Sequence, residues 1–154
     1  MIHFILARTN DTLYECLKIR RKVFIEEKNV PENIEIDEHD ILGGKCEHFM
    51  IGAKAGAIGT LRCIHSDDST VKLQRFCILP QYRGLGIGRK MLEFVEEYYK
   101  KESVSHIELD AKFEVAPFYE KCGYTVISDK FLEAGIPHVK MAKDISPHGK
   151  DGLQ

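Results

Sequence analysis

The sequence has no basic excess: 22 Lys and Arg stand against 24 Asp and Glu in 154 residues. The electrostatic footprint of a nucleic-acid-binding chain is therefore missing. It also has no apolar stretch near the ~18 residues of a membrane span. The opening MIHFILAR is a short apolar run soon followed by Asn10, Asp11 and Glu15, without the positive start or cleavage site of a secretory signal. Five cysteines (Cys16, Cys46, Cys63, Cys77, Cys122) are odd in number and form no C-x-x-C pair. That speaks against a disulfide framework or a structural zinc site and for reduced thiols in the cell. Cys46 and His48 share a side of a strand, but two ligands do not make a metal site. With 12 Gly and 5 Pro, a collagenous or low-complexity chain is excluded as well. These absences lead to the expectation of a cytoplasmic chain with no membrane, no nucleic-acid partner and no metal.

What is present suits one ordinary domain. Hydrophobic residues make up 44%, and a chain of this length buries roughly 70% of its unfolded surface on folding. One domain over 1–145 is expected, followed by a polar, frayed tail over 146–154. Residues 2–7 read as a strand, and Asn10 or Asp11 can cap a helix over about 12–28. Pro31 stops it, and the acidic stretch to Asp40 reads as a loop with at most one helical turn. Strands follow at 46–54 and 57–65, joined by a turn at Ala55-Gly56, and a third runs over 71–79. A glycine-rich turn then enters a helix at about 86–102. Its Ile87, Met91, Val95, Tyr98 and Tyr99 share one face; Arg89, Lys90, Glu93, Glu96, Glu97 and Lys100 lie mainly on the other. A strand at 106–111, a short helix at 115–122 and strands at 124–128 and 138–143 complete the chain, the last two joined by FLEAGIP. The class is mixed α/β around one sheet.

Chemistry starts at LPQYRGLGIGRKML, residues 79–92. A strand leads into Gly84, Gly86 and Gly88, and an amphipathic helix follows at once. Glycine allows a sharp turn and close approach of a ligand to backbone N–H groups. The helix start adds unpaired donors and partial positive charge, so a phosphate or pyrophosphate is the natural guest, flanked by Arg83 and Arg89. No Gly-Lys-Ser/Thr is present, which excludes a P-loop. A dinucleotide fingerprint would need glycine where Arg89 stands; Glu108 and Asp110 imitate the ribose-binding acid, yet hairpin strands rather than a βαβ unit precede the turn.

The run resembles the acyl-CoA-binding signature of the GNAT superfamily of N-acetyltransferases, Arg/Gln-x-x-Gly-x-Gly/Ala, through Arg83, Gly86 and Gly88. PFYEKCGYTV at 117–126 is similar to the family's second segment, Phe-Tyr-x-x-x-Gly-Phe/Tyr. Two motifs in the right order cover about 46–143, and IRRKVFIEEKNVP and FLEAGIPHVKM resemble a subset of small bacterial members. The resemblance implies a single domain with a central mixed, mostly antiparallel sheet of about six to seven strands flanked by about four helices. It implies acetyl-CoA as co-substrate. Backbone N–H groups over Gly84, Leu85, Gly86, Ile87, Gly88 and Arg89, with Arg83, would hold the pyrophosphate, and Phe76, Cys77 and Ile78 would pair with the pantetheine arm. Tyr119 matches the tyrosine that returns a proton to the leaving thiolate; Phe118 beside it is a core candidate grouped with the CoA contacts.

The general base stays open. Many family members carry a carboxylate on the strand before the turn, where this chain has Gln74 and Arg75. Asp110 and His138 are the candidates retained, with Glu108 and His48 behind them. Cys77 and Cys122 sit in apolar contexts that favour packing over a nucleophile. On the acceptor side, Glu32, Glu35, Asp37, Glu38 and Asp40 would attract a cationic amine; conversely, Arg20, Arg21, Lys22, Arg62 and Arg75 could receive a phosphorylated or carboxylated one. FYEKCGYT also resembles glucosamine-6-phosphate N-acetyltransferases, but within the CoA half. The expected partner is a small-molecule or peptide amine, and a second copy of the chain is a further candidate. A non-catalytic acyl-CoA-binding module and a nucleotide-binding oxidoreductase are the competing classes, and the short chain counts against the latter.

Overall fold

The computed structural model describes residues 1–146, so the expected frayed tail lies almost wholly outside the described residues. The first strand, β1, spans His3–Leu6. Helix α1, Asn10–Arg20, is capped not by Asn10 or Asp11 but by Thr9, whose hydroxyl accepts the Thr12 N–H at 3.2 Å. The helical path continues through Arg21–Glu27 with π winding: Lys28 N–H reaches the Val23 carbonyl five residues back at 2.9 Å. The expected single helix is thus two windings in series. A single turn, α2 (Glu32–Glu35), follows Pro31.

Strands β2 (Cys46–Ala53) and β3 (Gly56–His65) form a hairpin. Its turn is Lys54-Ala55, one residue earlier than expected, because Gly56 at φ 125° opens β3. Then come β4 (Thr70–Ile78), α3 (Ile87–Lys101), β5 (His106–Lys112) and α4 (Ala116–Lys121). The chain ends in β6 (Thr125–Val126), β7 (Phe131–Glu133) and β8 (Ile136–Asp144). The strand order is β1-β2-β3-β4-β5-β8-β6, with β7 also on β8. Only the β4–β5 pair is parallel among the registered pairs, joining Thr70–Lys72 to His106–Glu108. The expected mixed, mostly antiparallel sheet is present, with eight strands rather than six to seven. The added strand is β7, hidden in FLEAGIP: Ala134 and Gly135 both take positive φ (52° and 76°) and close a two-residue hairpin turn between Glu133 and Ile136.

The chain forms two compact units, each from two separate stretches: Met1–Ile64 with Gln74–Phe94, and His65–Leu73 with the residues from Val95 on. Both β4 and α3 run from one unit into the other. In the first unit, Leu13, Cys16, Ile19 and Val23 are buried along the first helical path. The Cys16 thiol meets the Phe49 carbonyl at 3.7 Å, and Phe94 lies against Phe4 and Phe49 with centroids 5.8 and 6.3 Å away. In the second unit, Ile107, Leu109 and Ala111 alternate onto the buried face of β5, as a half-buried strand should. Among the described residues, no helix is long and apolar enough to cross a membrane.

Glu96 departs from the expected polar face of α3. It is buried, accepts the Tyr124 hydroxyl at 3.0 Å and the Lys143 ammonium at 2.9 Å, and Lys143 also donates to the Cys122 carbonyl at 2.9 Å. The position lies between the buried Leu92 and Tyr99, so it falls on the inward side and needs both partners. Tyr124→Phe removes one donor from a buried carboxylate and should cost about 1.5–3 kcal/mol in urea unfolding. In the Glu96→Gln background the same substitution should cost less.

Candidate active site

After β4 ends at Ile78, one 3₁₀ turn at Pro80–Tyr82 leads into the glycine segment. Gly84 and Gly86 sit at φ 75° and 81°, where a side chain would be strained. A Cβ at either would meet nothing within 4 Å, so glycine is required there by conformation and not by crowding. The segment is exposed apart from Ile87, which turns inward, and Gly88, which is half-buried. Gly86 starts α3 by accepting the Lys90 N–H at 3.3 Å. The first-turn N–H groups of Ile87, Gly88 and Arg89 then have no carbonyl within the helix, and they carry the partial positive charge of the helix start.

The two flanking arginines behave differently. Arg83 donates through Nε to the Ile78 carbonyl at 2.8 Å and grips the Glu27 carboxylate with both terminal nitrogens, at 3.0 and 2.9 Å. Glu27 is the last residue of the π-wound segment, a partner that sequence reasoning missed. Arg89 is more than half exposed and lies 3.7 Å from Glu93. On β4, Phe76 and Ile78 are half-buried, while Cys77 packs with Ile19 and Val23. Burial pushes the Cys77 thiol far up. It is a protonated packing residue and not a nucleophile.

The acids after Pro31 and the arginines that sequence reading treated as opposing acceptor sites are each other's partners. Arg20, 1% exposed, donates to Glu35 Oε2 at 3.0 Å, to the Glu35 carbonyl at 2.5 Å and to both Asp40 oxygens at 2.5 and 3.0 Å. Arg62, 2% exposed, forks onto both oxygens of Asp37 at 2.7 and 2.8 Å, reaches Asp40 at 2.9 Å and holds Gln74 Oε1 at 2.9 Å. Arg75 donates to the Glu35 and Ile34 carbonyls, both at 3.2 Å, and to Asp37 at 3.3 Å. Arg75 stands at φ 56° in the middle of β4, a costly conformation for a residue with a side chain. The signal was available: acids at 35, 37 and 40, Arg20 on the inward stripe of α1, and nearly balanced numbers of opposite charges. The Arg62 hydrogen bond holds the Asp37 carboxyl well below the usual range. At Asp40 burial is the largest single effect and pushes the carboxyl up, but the hydrogen bonds from Arg20 and the Asp37 N–H and the charges of Arg20 and Arg62 together hold it below the usual range.

In the second unit, Tyr119 on α4 sits edge-on to Phe118 and Tyr124, at 5.1 and 5.9 Å. Its hydroxyl has no hydrogen-bond partner among the described residues, and burial drives its ionisation far above the ordinary phenol range. Asp110 accepts from Lys72 at 2.7 Å and lies 3.5 Å from Lys140. Burial acts to raise its carboxyl, but the Lys72 hydrogen bond and the two lysine charges hold it low, which makes it a weak base. His138 is buried; its Nδ1 donates to the Ile136 carbonyl at 2.7 Å, so Nε2 is the nitrogen able to accept a proton. Nε2 lies 4.0 Å from Glu133, and the ring stacks on Phe131. In the first unit, His48 meets the His39 carbonyl through Nε2 at 3.0 Å, and burial lowers its basicity. Among the described residues, no three His, Cys, Asp or Glu are arranged to hold a metal ion.

A family model for the acetyltransferase (GNAT) domain matches residues 25–145. The chain belongs to the GNAT acetyltransferase family. YyaT of Bacillus subtilis, itself uncharacterized, is 42% identical over 138 residues, which cover 90% of this chain and 93% of YyaT. A proposed N-acetyltransferase of Lactobacillus plantarum has the same fold, with a TM-score of 0.87 and 29% identity over 94% of this chain and 98% of its own. An aminoglycoside 6′-N-acetyltransferase solved with coenzyme A has a TM-score of 0.76 at 14% identity, covering 96% of this chain and 98% of its own. GNAT membership carries the broad chemistry of acyl transfer from coenzyme A.

Removing one member of the buried GNAT-domain ion network strands the others. Arg62→Met should cost about 3–5 kcal/mol in urea unfolding at pH 7. Asp37 and Asp40, held low, contribute stability that is complete above the ordinary aspartate value near 3.9 and is lost as pH falls toward their folded values. Wild type should therefore lose stability as pH falls below about 4, and Asp37→Asn should show a shallower loss over the same range.

Proposed function

We propose that the chain moves an acetyl group from acetyl-CoA to a primary amine of a small molecule or peptide, by direct attack through a tetrahedral intermediate. The observation that supports this most is the exposed Gly84–Gly86 turn, with two left-handed glycines leading into α3, in a chain of the GNAT family. Backbone N–H groups over Gly84–Arg89 are proposed to hold the CoA pyrophosphate, with Arg89 adding charge. The Phe76–Ile78 backbone would pair with the pantetheine arm. An N–H on this strand would stabilise the oxyanion, a contribution of a few kcal/mol. Tyr119, protonated at neutral pH, would donate to the departing thiolate. Burial that disfavours a phenolate also makes a buried thiolate more basic, so the pair stays matched.

The acidic loop leaves little net charge to attract a cationic acceptor. Glu35, Asp37 and Asp40 are neutralised by Arg20, Arg62 and Arg75, so the cationic attraction expected of the loop rests on Glu32 and Glu38. Thiol release from acetyl-CoA across polyamines, amino sugars, amino-sugar phosphates and N-terminal peptides tests the activity. CoA binding with only background release for every amine would identify an acyl-CoA-binding module instead. Preferential binding of NAD(P) over CoA would overturn the reading altogether.

Tyr119→Phe should lower kcat about 10²–10⁴-fold while leaving acetyl-CoA affinity within a few fold, by initial rates and calorimetry. Unchanged turnover would remove Tyr119 from the chemistry. Glu27→Gln should release Arg83 toward the pyrophosphate and tighten CoA binding severalfold; weaker binding would mean the pair serves only to hold the turn.

A further inference from the structure

The strand before the glycine turn carries no carboxylate, having Gln74 and Arg75 where a base would stand. Gln74 is occupied by Arg62. Directly against Arg75, however, lies Glu35, brought by α2 and held by contacts at both its backbone and its side chain. Its carbonyl accepts from Arg20 and Arg75. Its Oε2 sits 3.0 Å from Arg20 Nε and 3.4 Å from Arg75 Nε. Oε1 has no hydrogen-bond partner among the described residues and, unlike Asp110 Oδ1, is not a fully buried unpaired oxygen, although the residue as a whole is only 4% exposed. Its charge is also felt at Cys77, on the strand segment proposed to run beside the pantetheine arm.

We infer that Glu35 is the proton acceptor for the attacking ammonium, supplied by α2 rather than by the strand itself. This rests on the acetyltransferase reading above. Glu35 Oε1 takes one proton from R–NH₃⁺, leaving the neutral amine and a carboxylic acid. The nitrogen lone pair then forms the C–N bond to the thioester carbon, and the C–S bond breaks as the intermediate collapses. Tyr119 protonates the thiolate and is reprotonated by the proton the nitrogen sheds, and Glu35 returns its proton to solvent.

The surroundings divide the three loop carboxylates between two tasks. Glu35 faces Arg20 of α1, Arg62 of β3, and Arg75 and Cys77 of β4, with Asp37 and Asp40 in its own loop. Asp37 and Asp40 are held low, whereas burial raises Glu35 against the opposing charges of Arg20, Arg75 and Arg62. Carboxylates pushed apart by their environments are the pattern by which one site separates a permanent anion from a working base. The two low acids stay ionised against Arg20, Arg62 and Arg75, with which Glu35 is also paired through Arg20 and Arg75. Glu35 is left able to exchange a proton.

The test compares wild type, Glu35→Gln, Glu35→Asp and His138→Gln between pH 5.5 and 9.5, with acetyl-CoA and the best amine of the panel. Glu35→Gln should lower kcat/KM for the amine about 10²–10⁴-fold and abolish the acid limb of the profile. KM for acetyl-CoA should change less than about threefold, a smaller change than any expected for lost transition-state stabilisation. Glu35→Asp should restore part of the rate. Retention of the acid limb in Glu35→Gln, or its loss in His138→Gln instead, overturns the assignment. Carboxyl ¹³C titration of the wild-type protein reads Glu35 without turnover, and so decides the matter if no amine is acetylated or if Glu35→Gln fails to fold. A Glu35 resonance that titrates above the ordinary glutamate range and moves when acetyl-CoA is added supports the role. Titration in the ordinary range or below, or indifference to acetyl-CoA, overturns it. Absence of any amine acetylation, by contrast, overturns the acetyltransferase reading.

Discussion

Three guanidinium groups and three carboxylates, closed upon one another inside the first unit, are the constraint on which the rest of that unit depends. Arg20 comes from α1, Arg62 from β3, Arg75 from β4, and Glu35, Asp37 and Asp40 from the turn after Pro31. Such a group of charges is expensive to desolvate and gains little over apolar packing. Its value is specificity of position. A segment with only one helical turn and no strand of its own has no other means of being fixed, and each of its carboxylates has a counterion from a different element. The same constraint accounts for Arg75 at φ 56°: its guanidinium reaches two carbonyls and a carboxylate, and those bonds offset the backbone cost.

The glycine turn shows the complementary strategy. Its donors are backbone N–H groups, which need no counter-charge and no rotamer, and its glycines leave them accessible. Side-chain charge nearby is restrained, since Arg83 is already neutralised by Glu27. An anion bound there, as proposed for the CoA pyrophosphate, would be selected through geometry, because only a ligand that fits the turn can collect several short hydrogen bonds at once.

Much of the architecture could be read from periodicity and turn chemistry. Alternation and helical spacing located the long strands and α3 to within a residue or two, and Gly84, Gly86 and Gly88 marked the turn that opens α3. Failures occurred where tertiary pairing overrode local pattern. Glu96 looked solvated until Tyr124 and Lys143 were seen to meet it. β7 was concealed because Ala134, not glycine, shares the left-handed turn. The acids at 35, 37 and 40 read as a surface because no local rule links a loop to Arg20, fifteen residues before Glu35, or to Arg62, beyond it. The family resemblance pointed to Tyr119 and the CoA segment, whereas Glu35 could only emerge from distances between side chains.

All five cysteines are buried thiols, and burial raises Cys16, Cys46 and Cys77 above the ordinary thiol range, Cys46 to about 11. For a protein whose family chemistry runs on a thioester, that has a particular meaning. A thiolate near an activated acyl group exchanges with it, and the acyl group would end on the protein. Keeping each sulfur away from solvent, and three of them firmly protonated, withholds the competing nucleophile. The apolar packing that uses cysteine as a small side chain thereby also protects the chain from being acylated by its own donor.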